Sequence, residues 1–273
     1  MVSNLYFWGG GFVKFITMKK ILLFCLLLCG ASACATLDAT RMTSAGSKAL
    51  QALTLTDAQI EAYVSEYIQE LDAQSTVLTG NNAYARRLAQ ITTPINNRDG
   101  LNIKVYQNPE ANAFAVADGS IRVYSGLMDI MTDEEILGVI GHEIGHIKNK
   151  DTKDAFKTAL LTSALRDGIA STGNAAATLS DSMVGDLFES LSSSQYSQKQ
   201  EYEADEYGYE FLKSHGVNPW AMALSFQKLK SMQESSSYSG GAVMQLFSTH
   251  PELDKRIQRM TQRATGDGYA KPQ

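Results

Sequence analysis

One short stretch, His142-Glu143-Ile144-Gly145-His146, constrains the fold of this 273-residue chain more than any other. Thr132 to Glu135 reads as a T-x-x-E capping box ahead of the apolar run Ile136-Leu137-Gly138-Val139-Ile140. That pattern predicts a helix that carries the stretch. Residues i and i+4 leave one helix face about 5–6 Å apart at Cβ, so both imidazoles can reach one ion. Glu143 lies one step round, where it can reach a water on that ion without ligating it. Gly138, Gly141 and Gly145 form a stripe on the same helix. An interior helix glycine costs about 1 kcal/mol relative to alanine. Three of them predict a second element packed very close.

Two histidines do not complete a catalytic zinc site, which needs a third protein ligand and leaves its fourth position to water. The other histidines are His215 and His250, and no cysteine follows Cys34, so a carboxylate is favoured. Glu201-Tyr202-Glu203-Ala204-Asp205 begins 55 residues after His146, inside a segment of helical pattern. Glu201 and Asp205 share a face, whereas Glu203 points about 160° from Glu201 and is expected in solvent. Glu201 suits the ligand, and Asp205 suits the acceptor for the outer N–H of a ligating histidine. A charged surface helix has the same composition, so the residues alone leave both readings open. His215, just before Gly216, reads as a helix C-terminus and nothing more.

The N-terminus reads as an address. All three cysteines, Cys25, Cys29 and Cys34, fall in the first 34 residues. Met18-Lys19-Lys20, the apolar run Ile21 to Cys29 and the small-residue stretch Gly30 to Ala33 follow the layout of a bacterial signal peptide. Cysteine directly after the small residues resembles a lipobox, with Ala31 where leucine is usual, so Cys34 is the expected lipidation site. Met18 opens a complete signal by itself, and residues 1–17 are expected to lie upstream of the start. The expected order is then a signal peptide over 1–33, a lipid-anchored tether over 34–54, one folded domain over 55–266 and a flexible tail over 267–273. Ala35, rather than aspartate, after Cys34 resembles outer-membrane sorting. The chain carries 24 basic and 29 acidic residues, and this net charge of −5 argues against a nucleic-acid partner.

Helices are predicted over residues 56–71, 83–91, 151–170, 181–194, 196–215, 218–234 and 251–264 as well as around the H-E-x-x-H stretch. Leu101 to Tyr106 alternates as a strand does, and Ala113–Ala117 with Ser120–Tyr124 reads as a hairpin turning on Asp118-Gly119. Residues 171–180 and 235–241 read as loops. The fold class is therefore α+β, mainly helical with a small antiparallel sheet.

These motifs together carry a resemblance. H-E-x-x-H, E-x-x-A-D at 201–205, and the stretches Asn112 to Ala115 and Gly119 to Leu127 resemble the HtpX/BepA-like gluzincin zinc metallopeptidases, from about Leu55 to Arg263. The resemblance implies a zincin-like fold and one Zn2+ per chain, held by His142, His146 and Glu201. It implies Glu143 as general base, and Asn112, Ala113, Phe114 and Ala115 as an edge strand that adds a substrate backbone. His250-Pro251 followed by Arg256 also looks like a family motif, which implies that His250 and Arg256 contact the substrate carbonyl or the developing oxyanion. His250 could instead fill the open metal position and act as a brake. Implied substrates are unfolded or misassembled envelope proteins. A zinc-bearing assembly chaperone with latent proteolysis, or a metallohydrolase acting on small molecules, would carry the same ligands. The edge strand favours a peptide.

Overall fold

A computed structural model describes residues 56–95, 100–166, 185–187, 189–191, 194–234 and 249–272. The expected signal peptide, Cys34, the tether and the loops 171–180 and 235–241 lie outside these residues. The described elements are α1 (Asp57–Gln74), β1 (Val77–Leu78), α2 (Ala83–Ile91), β2 (Asn102–Tyr106), β3 (Ala113–Ala115) and β4 (Ser120–Tyr124), followed by α3 (Ser125–Ile130), α4 (Asp133–Lys148), α5 (Asp151–Arg166), α6 (Gln198–Ser214), α7 (Trp220–Glu234) and α8 (Leu253–Gly266). Among the described residues no helix is long and apolar enough to cross a membrane.

Three helices start on capping boxes that satisfy their first free N–H groups: Thr56 with Gln59, Thr132 with Glu135, and Ser197 with Gln200. α4 is the central element. Twelve of its sixteen residues are buried, and it packs against α6, α7 and the sheet. The glycine stripe makes the α4–α6 approach possible. A Cβ on Gly145 would sit 2.9 Å from Ala204 Cα, and one on Gly141 would sit 3.2 Å from Gly208 Cα. The two backbones are therefore in direct contact, as the stripe predicts, and this brings Glu201 opposite the two histidines.

The sheet differs from the expected antiparallel one. Its four strands run in the order β1-β2-β4-β3. β3 and β4 form the expected antiparallel hairpin, turning on Gly119 at φ +88°. β2, however, pairs parallel with β4, residue for residue from Asn102↔Ser120 to Tyr106↔Tyr124. The physical reason lies in β4: all five of its residues are buried. A strand buried on both faces belongs in the middle of a sheet, so β4 sits between its hairpin partner and β2. Arg122, in the middle of β4, is 1% exposed and donates through Nε and Nη2 to both oxygens of Asp72 on α1, at 2.8 and 3.0 Å. Lys104 and Tyr106 of β2 bond the same carboxylate, which ties α1 onto the sheet. These partners outweigh the effect of burial and hold the Asp72 carboxyl below its ordinary range.

The tail is corrected too. Residues 267–270 are docked rather than free: Tyr209 Oη donates to Asp267 at 3.0 Å, Trp220 Nε1 to Tyr269 O at 2.9 Å, and Asn218 Nδ2 to Ala270 O at 2.8 Å. Gly268, at φ +82°, turns the chain back after α8 so that Tyr269 packs against the core.

Candidate metal centre

His142 and His146 project from α4, Glu201 from the first turn of α6, and His250 from the segment before α8. All four are buried, and one ligand atom from each lies within 4.8 Å of all the others. The two Nε2 atoms are 3.1 Å apart, and Glu201 Oε1 is 3.4 Å from Nε2 of His146. The outer nitrogens are already committed. His142 Nδ1 meets Asp205 Oδ1 at 3.0 Å, and His146 Nδ1 meets Asp151 Oδ2 at 2.9 Å.

This pattern tests whether a metal fits. His146 Nδ1 bonds Asp151 and His142 Nδ1 lies against Asp205, so each Nε2 faces inward, toward the other and toward a carboxylate oxygen. Electron-rich atoms converge in a buried space in this way around a cation. For zinc bonds near 2.0–2.1 Å, a tetrahedron has edges of about 3.3–3.4 Å. Two of the separations, 3.1 and 3.4 Å, lie near that spacing and the third, His142 Nε2 to Glu201 Oε2, is longer at 3.8 Å. A carboxylate on the outer nitrogen of each histidine is the usual support of a zinc ligand. The cluster fits one zinc ion. Burial alone would lower the His146 pKa, but the bonds to Asp151 and Glu201 and the nearby charge of Glu143 raise it to about 9.

Arg256 is placed differently from the expectation. It is 1% exposed, lies over the Phe226 ring at 4.3 Å, and donates through Nε and Nη2 to Asp205 at 2.8 and 2.6 Å. Its Nη1 pairs with Glu201 Oε2 at 2.5 Å, off the alignment of a hydrogen bond. Two nitrogens thus serve Asp205, behind His142, and the third lies against the ligand Glu201 itself. Burial opposes ionisation of Asp205 and Glu201, but Arg256, with His142 and His250 respectively, holds both well below the ordinary carboxylate range. Glu203 is exposed and pairs with Lys199 at 3.6 Å.

His250 enters the ligand cluster itself. Its Nδ1 lies 2.9 Å from Glu201 Oε1 and 3.4 Å from His142 Nε2, while its Nε2 lies 3.8 Å from Glu143 Oε1. Glu143, 2% exposed, faces a cleft of about 690 Å3, open mouth included, that Asn112, Phe114, Ala115, Tyr196 and His250 also line. β3 forms one edge of the sheet beside that cleft. Asn112, Phe114, Ala115, Glu143 and His250 thus line one cleft, His250 also joining the His142, His146 and Glu201 cluster, while Ala113 packs in the core.

Two residues of this centre escaped the sequence reading. Asp151 stands five positions after His146 and opens α5. Tyr196 stacks on the His146 ring, with centroids 4.0 Å apart and planes at 16°. The one signal for Tyr196 is an aromatic residue immediately before the capping box at Ser197.

Comparison with known proteins agrees with this geometry. Residues 81–264 match peptidase family M48. The chain belongs to that family. It is 42% identical to Metalloprotease LoiP of Escherichia coli (strain K12) over 238 residues, which span 86% of this chain and 92% of LoiP. Identity to Metalloprotease YcaL of the same organism is 36% over 240 residues, 87% of this chain and 92% of YcaL. A Protease HtpX homolog of Methanopyrus kandleri is 30% identical over 179 residues, covering 55% of each chain. The chain is an M48 metalloprotease, and His142, His146 and Glu201 are the H-E-x-x-H plus glutamate set of its zinc site.

Proposed function

We propose that the chain is a zinc-dependent endopeptidase of the bacterial envelope that cleaves unfolded or misassembled proteins. One observation carries the reading: β3, the outermost strand of the sheet among the described residues, and Glu143 line the same cleft. An extended chain can add to that edge through main-chain hydrogen bonds, which select for unfolded backbone rather than for sequence. When bound, zinc supplies Lewis-acid polarisation and lowers the pKa of water toward neutrality. Glu143 takes the proton of the attacking water and returns it to the leaving amine. Asp205 and Asp151 hold the imidazoles in one tautomer, and Arg256 keeps Asp205 and Glu201 ionised.

The test offers one protein in two forms, folded and reduced-unfolded. Cleavage confined to the unfolded form, and lost on chelation, is the expected result. Suppressed aggregation without any cleavage would favour the chaperone reading instead.

His250 acts in this reading as a brake, because its Nδ1 occupies the side of the cluster where an open metal position is needed. His250→Ala should then raise kcat/KM on an unfolded protein. A fall in kcat of roughly 10²–10³-fold would make it an oxyanion donor, and an unchanged rate would remove it from the mechanism. The envelope location rests on the signal-like N-terminus, with Cys34 acylated. Cys34→Ser should release the protein from membranes, and a mature N-terminus elsewhere without a lipid mass would refute the anchor.

A further inference from the structure

The two ligating histidines are supported unequally. Asp205, behind His142, is neutralised by a two-pronged contact with Arg256. Asp151, behind His146, is 6% exposed and divides its oxygens between His146 and a neutral amide: Oδ2 takes His146 Nδ1 at 2.9 Å, and Oδ1 accepts from Gln200 Nε2 at 2.9 Å. Among the described residues no arginine or lysine pairs with Asp151, and a carboxylate without such a cation leaves more negative charge on the imidazole that it supports.

Gln200 has a second attachment. It is the N3 residue of α6, and its Oε1 accepts from Ser197 N at 2.9 Å and from Ser197 Oγ at 2.8 Å. The capping box fixes the amide so that only the NH2 end can turn toward Asp151. The next residue is the ligand Glu201. One chain of hydrogen bonds thus runs from the cap of α6 through Gln200 and Asp151 to His146, linking the helix that supplies the third ligand to the second. Tyr196, stacked on the His146 ring, closes the remaining face.

We propose that Asp151 and Gln200 form a positioning pair for the metal site. Asp151 sets the orientation and basicity of His146, and Gln200 locks Asp151 to the start of the helix bearing Glu201. The inference rests on the zinc site and not on the peptide substrate, so a protein that binds zinc but cleaves nothing would leave it standing.

The test measures zinc affinity of the full mature chain by competition with a chromophoric chelator, together with the visible spectrum of the Co2+-substituted protein. Asp151→Asn keeps an acceptor of the same shape and removes the charge. It should weaken zinc binding by about 10–100-fold and shift the cobalt bands. Gln200→Glu separates positioning from capping. Glutamate serves a capping box as well as glutamine does, but it sets a carboxylate against Asp151 in place of a donor. Its zinc-free protein should melt as the wild type does, while its zinc affinity falls by about 10-fold or more. A role in capping alone predicts wild-type affinity for Gln200→Glu. Zinc affinities within about twofold of wild type in both variants, with unchanged cobalt spectra, would overturn the proposal. If Asp151→Asn does not fold, Gln200→Glu decides the matter alone, and a wild-type chain that binds no zinc removes the proposal with its site.

Discussion

Glu143→Gln should lower the rate of peptide cleavage by about 10²–10⁴-fold, the usual contribution of a positioned acid–base group, and leave the zinc content at the wild-type level. The two outcomes follow from one geometry. Glu143 lies on α4 between the ligating histidines in sequence, but its carboxylate faces the cleft beside β3. The amide keeps the size and polarity of the side chain and cannot accept the proton of the attacking water. Rate measurement on an unfolded protein, with metal analysis of the same sample, checks both halves. A parallel loss of zinc and rate would make Glu143 a ligand, and an unchanged rate would place the base elsewhere.

Glu201→Ala should do the opposite and remove the metal. Loss of a ligand exceeds the roughly 10–100-fold effect of an outer partner, so a fall on the order of 10³-fold in zinc affinity is expected. Stability should fall as well. Arg256 Nη1 and His250 Nδ1 both lie against Glu201 in a buried site. Removing one member of a buried ionic group costs about 3–5 kcal/mol, because the remaining charge is left without its partner. Glu203→Ala provides the control two residues away. Its carboxylate is half exposed and pairs only with Lys199 at the surface among the contacts described, so neither zinc affinity nor stability should move measurably. Isothermal titration and thermal melting of the two variants distinguish the cases, and equal zinc binding by Glu201→Ala and wild type would sink the assignment.

The parts of this centre that were legible in sequence depend on local periodicity. The i, i+4 spacings of His142/His146 and Glu201/Asp205 set which side chains share a face, and the glycine stripe announced the close α4–α6 contact. What depended on chain reversals and long-range pairing was not legible. Asp151 reaches His146 because Lys150 takes the left-handed conformation at φ +67°, turning the chain sharply between α4 and α5. Lysine gives no hint of that, whereas glycine or asparagine would have. The parallel pairing of β2 with β4 likewise depends on where β4 is buried, not on the alternation within either strand. Arg256 was read from a motif as a substrate contact, but its direction is set by two buried carboxylates on another helix. Tyr269 and its neighbours read as a tail because single hydrogen bonds and the packing of one ring, with no periodic apolar pattern, hold them to α6 and α7.

The central claim is that one zinc ion, held by His142, His146 and Glu201, enables cleavage. The most direct measurement strips the full mature chain with chelator, then adds zinc stepwise while following cleavage of an unfolded protein. Activity should be absent at the start, rise in proportion to added zinc, and level off at one equivalent per chain. Full activity in the stripped protein, or zinc bound at one equivalent with no cleavage at any point of the titration, would contradict it.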